Sequence, residues 1–407
     1  MTPPLKVLFL QGPPTAFWRE LAAALEAAGH ATAKVSLHLG DALYWRRPGA
    51  TRYRGTPADW PAWLEAFCER ERVTDILYFA DRLPYHVAAA EIAERRGMRV
   101  WAIENGYLRP DWLTLEPFAM GRNSRFPRDP DRLRDLAQGQ EAPDRKVRFN
   151  HGFLREAASD VGYNLAMLVG RPLYPHFDND RYYPAIVDYL CWAPNTWRKL
   201  ARRRECARVE ALCTSGKLDY TLLAMQLQSD YQIRASSDYV HLSEMLEEVI
   251  GTLAAHADPA RHLVVKGHPL DSGWENWPKV MADIARRHGV AERVHWLDGG
   301  HLGSLLRGAA SVITVNSTVG LHSLRLRVPI LTLGSAVYDI AGLTHQGGLA
   351  TFWQTPEPVD HALYKTLETA MAARIQVRGS FYDPAGRRAA AEAITRRLEQ
   401  PEIYWPG

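Results

Sequence analysis

Apolar and polar positions fall into a repeating strand, loop and helix rhythm in the first hundred residues. Val7–Leu10 is a short apolar run closed by Gln11-Gly12-Pro13-Pro14, and Phe17–Ala28 has the spacing of an amphipathic helix ending near Gly29. The alternation continues through Ala33–Leu37, Ile76–Phe79, a helix around Tyr85–Arg96 stopped by Gly97, and Arg99–Ile103. Strands separated by helices predict right-handed parallel crossovers, with ligands gathering at the carboxyl ends of the strands.

From Phe118 to Lys217 the texture changes to Arg, aromatic residues, Pro and Asp without a clean strand–helix rhythm, which reads as a helical insertion or linker. The rhythm then restarts. Tyr220–Met225, His262–Lys266, Val294–Trp296, Ser311–Val315 and Ile330–Leu333 read as strands, with helices near Leu242–Ala255, Lys279–His288 and Leu321–Arg325. Pro358–Glu399 reads as one or two helices bracing the first domain. The fold class predicted is α/β, two doubly wound domains with an interdomain cleft and a helical insertion. The boundaries expected are 1–117, 118–217, 218–357 and 358–407.

Length agrees with two domains, since 407 residues exceed what one core usually serves. A formal net charge of +3 gives no general pull toward nucleic acid, and no nucleic-acid partner is expected. Cys68, Cys191, Cys206 and Cys213 form no CxxC pair and have no His at zinc-ligand spacing, so a reducing compartment without structural zinc is the plain reading. MTPPLK leads straight into VLFL with no signal-peptide pattern, and no apolar run approaches the ~20 residues that span a bilayer. The location expected is cytoplasmic, at most touching a membrane from that side.

Five strand-ending loops hold the candidate chemistry. Gln11 and Gly12 lack both the GxGxxG and the GxxxxGK[ST] spacing, leaving a tight turn or a substrate-lining loop. ENGYLRPDWLTLE, Glu104 to Glu116, reads as a loop-like run that clusters carboxylates around Arg109 and Asp111 directly after a buried strand. It is either an ion-pair network involving Glu104 or Glu116 with Arg109, or the seat of a general acid or base. In QLQSDYQIR, Gln226 and Asp230 follow a strand; Asp230 is either a helix cap or a carboxylate nucleophile. Lys266, His268 and Pro269 place a cation and an imidazole after a strand, suited to an anionic ligand. Asn316, Ser317 and Thr318 open a helix, as simple caps or as a phosphate site. On one sheet edge, these last three loops suit a nucleotide-activated donor.

Eight ordered segments then resemble the bacterial capsule polysaccharide biosynthesis proteins, which include β-Kdo glycosyltransferases that build a Kdo linker on a phospholipid for capsule export. They are LQGPPTAFWRELAAAL, LGDALYWRRPGATRYRG, ADRLPYHVAAAEIA, ENGYLRPDWLTLE, QLQSDYQIR, VVKGHPLDSGW, VNSTVGLHSL and LGSAVYDIAGLTHQGGLATFW, spread over nearly the whole chain. The resemblance implies a GT-B arrangement of two Rossmann-like domains, CMP-Kdo as donor, retention of configuration, and phosphatidylglycerol or its lyso form as acceptor at the cytoplasmic face of the inner membrane. By the same resemblance Glu104 is the acid/base carboxylate, Asp230 the nucleophile, His268 and Pro269 the CMP-binding pair beside Lys266, and Ser317 with Thr318 the hydroxyls near the donor phosphate. Asn105 stands where relatives often carry a second acid, and Gly267 where a bulkier residue is common.

CMP is a good leaving group, and no DxD run appears where a metal-bound site would need one, so neither metal nor cofactor is expected. Arg109 is a candidate clamp for the Kdo carboxylate. Trp197-Arg198-Lys199-Leu200-Ala201-Arg202-Arg203-Arg204 is a candidate dock for anionic lipid, or simply a solvated helix face. Capsule export machinery is a further partner that the resemblance suggests. A non-hydrolysing sugar-nucleotide epimerase and a non-catalytic export subunit remain as alternatives.

Overall fold

The computed structural model describes residues 3–149, 153–183 and 185–404. In chain order the elements are β1 (Lys6–Phe9), α1 (Phe17–Ala27), β2 (Ala31–Ser36), α2 (Leu39–Trp45), β3 (Thr51–Arg52), α3 (Trp60–Glu71), β4 (Asp75–Phe79), α4 (Pro84–Arg96), β5 (Arg99–Asn105), β6 (Trp112–Pro117), α5 (Pro130–Ala137), α6 (Phe153–Val169) and α7 (Ala185–Thr214). They continue with β7 (Tyr220–Ala224), α8 (Tyr231–Ser236), α9 (Leu242–His256), β8 (His262–Lys266), α10 (Trp277–Arg287), β9 (Val294–Leu297), α11 (Leu302–Gly308), β10 (Ser311–Thr314), α12 (Val319–Arg325), β11 (Ile330–Thr332), α13 (Gly348–Gln354), α14 (His361–Arg374), β12 (Gln376–Arg378), α15 (Pro384–Glu399) and α16 (Pro401–Tyr404).

These elements form two compact units. The first takes the chain up to Phe126, Leu136–Asp180 and everything from Glu368 on; the second takes Pro127–Asp135 and Arg181–Leu367. The stretch 118–217 is therefore shared between the two units, and among its described residues it holds helices and no strand.

The first unit is built on one sheet in the order β3-β2-β1-β4-β5-β6-β12. From β3 to β5 every pairing is parallel, and β6 and β12 extend the edge antiparallel to their neighbours. The run β3-β2-β1-β4-β5 is the Rossmann order, with its topological switch between β1 and β4. Central strands of such a sheet are covered on both faces and so read as unbroken apolar runs. In β1, Val7 and Phe9 join the core under α1 and α15, whereas Leu8 and the following Leu10 join the core under α3 and α4. In α1, Phe17, Trp18, Leu21, Ala22 and Leu25 are buried at helical spacing, and Gly29 ends the turn at φ 88°.

Two expectations need correction. ENGYLRPDWLTLE is a β-hairpin rather than a loop: Glu104 lies on β5 opposite Thr114, and Glu116 lies on β6 opposite Ala102. The C-terminal part is not purely helical either, because β12 pairs with β6 before α15 packs on α1.

The second unit carries five parallel strands in the order β11-β10-β7-β8-β9, again the Rossmann order, switching between β7 and β10. Leu223, Leu263, Val265 and Ile313 meet Val249, Leu253, Trp277, Ile284 and Trp353 of α9, α10 and α13 on one face. On the opposite side α7 packs against β9 and α11.

Candidate functional site

In the first unit the strand ends around the switch carry a buried network. Lys34, 1% exposed, sits on an interior strand, and its Nζ reaches Asp41 Oδ2 at 2.5 Å and the carbonyls of Leu10 and Val35 at 2.8 and 2.9 Å. Burial drives both partners toward their neutral forms, Lys34 downward and Asp41 upward, and their mutual attraction opposes it. Asp41 Oδ1 accepts the Gly12 N–H at 3.2 Å, and the Asp41 N–H donates to His38 Nδ1 at 3.2 Å. That acceptor role places the proton of neutral His38 on Nε2, which lies 3.1 Å from the Tyr163 hydroxyl; the hydroxyl in turn donates to the Gly12 carbonyl at 3.2 Å.

Gly12 was open to two readings, a tight turn or a substrate-lining loop, and both of its backbone polar groups are engaged inside this network. A Cβ there would lie 2.3 Å from the Trp18 ring, so glycine is required for packing. Gln11 is different: its Oε1 is buried without a hydrogen-bond partner among the described residues, two residues past the end of β1.

Glu104 is half-buried near the end of β5. Its Oε1 accepts the backbone N–H of Asn105 at 2.9 Å and the Asn105 side-chain amide at 3.1 Å, so Asn105 orients this carboxylate. The turn after it closes through Gly106 N–H to Trp112 O at 2.8 Å, where a Cβ would lie 2.3 Å from that carbonyl. Gln376 of β12, fully buried, clamps the same turn: its Oε1 accepts the Tyr107 N–H at 2.8 Å and the Leu108 N–H at 3.4 Å, while its Nε2 donates to Thr114 Oγ1 at 3.0 Å.

The other charges of the hairpin go elsewhere. Glu116 is fully buried, accepting from the Tyr107 hydroxyl at 2.8 Å and from Ser124. Asp111 is buried at φ 66°, and its Oδ2 accepts the N–H groups of Arg148 and Phe149. It fastens the following segment to the turn, the loop-shaping role of the two open to this residue, loop-shaping or acceptor contact. Arg109 is exposed and donates from Nε to the Gly106 carbonyl at 3.0 Å. The Tyr382 phenol, at the start of α15, is pushed up first by burial and then by the carboxylates of Glu156, Asp160 and Glu104. Two acids of α6 thus act on the same phenol as Glu104.

In the second unit the switch point is bridged by two amides. Gln226 Nε2 donates to Asn316 Oδ1 at 2.8 Å, and the Asn316 N–H donates back to Gln226 Oε1 at 3.0 Å. Ser317 Oγ accepts the Val319 N–H at 3.2 Å and so caps the seven-residue α12, while Thr318 makes no capping bond. Asp230 stands immediately before α8, and its carbonyl accepts the N–H groups of Ile233 and Arg234 at 3.0 and 3.3 Å.

Lys266 ends β8 with its ammonium pulled down by burial, a shift that Glu210 opposes and Lys199 reinforces. His268 Nδ1 accepts the Leu270 N–H at 3.2 Å, which fixes the ring, and Pro269 follows in the exposed part of the loop. Gly267 is explained by its neighbour: a Cβ would lie 2.6 Å from the Trp296 ring, so the indole fills the space that a larger residue would take.

Sequence reasoning missed the brace under this loop. Asn195 Nδ2 donates to Asp271 O at 2.9 Å, Arg198 to Gly273 O at 3.0 Å, and Arg202 makes a two-pronged pair with Asp298 at 2.9 Å on each arm. The signal was the spacing 195, 198, 202, 206 and 209 on one helix face. Arg198 and Arg202 are therefore engaged within the unit, although Arg198, Arg203 and Arg204 are exposed together with Trp197 and Leu200. Among the described residues no group of three or more His, Cys, Asp or Glu side chains is arranged to hold a metal ion, and no helix is long and apolar enough to cross a membrane.

Two doubly wound α/β units with polar strand ends at both switch points define a protein of the Rossmann-type α/β class. The chain belongs to the capsule polysaccharide biosynthesis protein family, whose model matches residues 74–382. Its relatives include the capsule polysaccharide export protein KpsS of Escherichia coli, 31% identical over 387 residues, 93% of this chain and 97% of that one. The capsule polysaccharide modification protein LipB of Neisseria meningitidis is 29% identical over 385 residues, 92% of this chain and 91% of that one. Among solved structures, the β-Kdo 2,7 transferase of Thermosulfurimonas dismutans KpsC aligns over 98% of this chain and 99% of that one, at 13% identity and a TM-score of 0.45.

Proposed function

We propose that this capsule biosynthesis protein is a retaining glycosyltransferase that moves Kdo from CMP-Kdo to a phosphatidylglycerol-type or Kdo-primed lipid at a membrane surface. The observation carrying this reading is the edge of the second sheet, where Gln226, Asn316 and Ser317 meet at the switch point and Lys266 and His268 end the neighbouring strand. A cation, an imidazole and amide donors at strand ends suit a nucleoside monophosphate leaving group. Glu104, oriented by Asn105 on the first sheet, supplies a base.

In the first step the Asp230 carboxylate attacks the anomeric carbon, and the bond to the CMP phosphate breaks with its electron pair passing to the phosphate. Lys266 and His268 stabilise that charge. In the second step the acceptor hydroxyl attacks the same carbon, Glu104 takes its proton, and the sugar–Asp230 bond breaks. Gln11, with its unpartnered Oε1, is a hydrogen-bond acceptor for an acceptor hydroxyl, and Arg109 is a carboxylate contact. Neither step calls for a metal.

Incubation with CMP-Kdo and lyso-phosphatidylglycerol, followed by mass spectrometry, should reveal a glycolipid one Kdo heavier, and Glu104→Gln and Asp230→Ala should each abolish it with melting unchanged. Full turnover in either variant removes that residue from the mechanism. The word export in the name of the Escherichia coli relative favours a second reading, a non-catalytic export subunit. A chain that binds CMP-Kdo yet yields no product with any lipid acceptor supports that second reading.

A further inference from the structure

From Val161 to Val169 the helix α6 carries no charged residue. Val161, Leu165, Leu168 and Val169 follow the spacing i, i+4, i+7, i+8, which places them on one stripe. They are 44–66% exposed, and Leu173 just beyond and Leu43 of α2 are exposed with them.

This stripe is not a face left over from poor packing, because the other side of α6 is closed against α2. A Cβ on Gly170 would lie 2.2 Å from Leu39, and one on Gly40 would lie 2.6 Å from the Tyr163 carbonyl. Tyr44 donates to the Ser159 carbonyl at 3.0 Å across the same contact. Exposed Arg46 closes α2, and exposed Arg171 follows α6, so the apolar stripe is rimmed by cations.

We propose that the α2–α6 face docks on an anionic lipid surface, its aliphatic stripe seated at the headgroup–acyl boundary and Arg46 and Arg171 on lipid phosphates. An uncharged stripe rimmed by arginines is complementary to that surface and to little else in water. The same helix also carries Glu156 and Asp160, which act with Glu104 on the Tyr382 phenol. Asp160 and Val169 are nine residues apart, about 13 Å along a helix. One helix thus carries both the exposed stripe and two acids that act on the same phenol as Glu104. The inference rests on the glycolipid reading above and assigns its acceptor side a surface.

The test is flotation of the full chain with phosphatidylcholine vesicles, with and without phosphatidylglycerol. Wild type floats only with the anionic lipid, and Leu165→Glu/Leu168→Glu reduces flotation at least tenfold while melting and transfer to a soluble short-chain lyso-phosphatidylglycerol are kept. Leu165→Ser/Leu168→Ser repeats the test should the glutamates disturb folding, and Arg46→Glu/Arg171→Glu weakens only the dependence on phosphatidylglycerol. Undiminished flotation of the apolar-face variants overturns the proposal. So does a change from dimer to monomer in light scattering with flotation unaltered, which makes the stripe a contact between copies of this chain. Wild type that floats but transfers nothing to the soluble acceptor refutes the glycolipid reading alone.

Discussion

Replacing Asp41 by Asn tests the buried network beneath the Gln11 loop. The substitution keeps the side chain's shape and its acceptor for the Gly12 N–H, but it leaves Lys34 at 1% exposure without a counter-charge. Removing one partner of a buried pair costs about 3–5 kcal/mol, whereas replacing both by apolar residues is often close to neutral. Asp41→Asn should therefore destabilise the first unit by about that amount, and Lys34→Met/Asp41→Leu by much less. The pH dependence supplies a sharper check. Burial already pulls Lys34 below its ordinary value, and losing Asp41 lowers it further. Wherever the folded chain has released that proton and the unfolded chain still holds it, stability rises with pH at up to about 1.4 kcal/mol per unit. Hydrogen exchange on peptides of the first unit, compared at pH 7 and pH 9, reads this without assuming that the two units unfold together. Equal destabilisation of Asp41→Asn at both pH values would refute the argument, because Lys34 would then be a cation satisfied by the Leu10 and Val35 carbonyls alone.

Gln376→Leu removes the clamp on the hairpin turn, leaving the Tyr107 and Leu108 N–H groups short of an acceptor. A loss of about 2–4 kcal/mol is expected by urea unfolding, together with, on the transferase reading proposed above, a fall in kcat larger than any change in the KM for CMP-Kdo, since that reading puts the donor loops on the other sheet. His86 is fully buried, stacked on Tyr78 and bonded through Nδ1 to the Ala80 carbonyl, and burial lowers its pKa to about 3. Its contribution is complete above pH 6.5 and is lost as pH falls toward 3, at about 1.4 kcal/mol per unit. His86→Phe should flatten the acid limb of the stability profile of the first unit, and an unchanged slope would count against that assignment.

The strands of both Rossmann sheets were legible because interior parallel strands are apolar on both faces, as in DILYF and HLVVK. The hairpin was less so: Gly106 and Pro110 draw the eye to a turn, yet Leu113 and Leu115 alternate with Trp112, Thr114 and Glu116 in the period of a strand. β12 is three residues long and owes its strand form to pairing with β6, a long-range contact that no local pattern encodes. Lys34 left a trace that was passed over. A lysine within ATAKVS, on a strand paired on both sides, has to find a partner, and Asp41 seven residues on is the nearest acid after it.

The same logic separates the two basic stretches of the chain. Arginines at helical spacing on α7 look like a lipid-binding patch when only composition is read, but Arg198 donates to the Gly273 carbonyl and Arg202 pairs with Asp298, two residues after the Trp296 whose indole fills the place beside Gly267. Trp296 itself donates from Nε1 to Asp298 Oδ1 at 2.9 Å. An arginine, an aspartate and an indole thus fix the backbone that carries Lys266 and His268, so on the proposed reading Arg202→Ala should weaken CMP-Kdo binding, measured by calorimetry, while leaving flotation with phosphatidylglycerol vesicles intact. Loss of flotation with donor affinity unchanged would reverse the assignment and return α7 to the lipid.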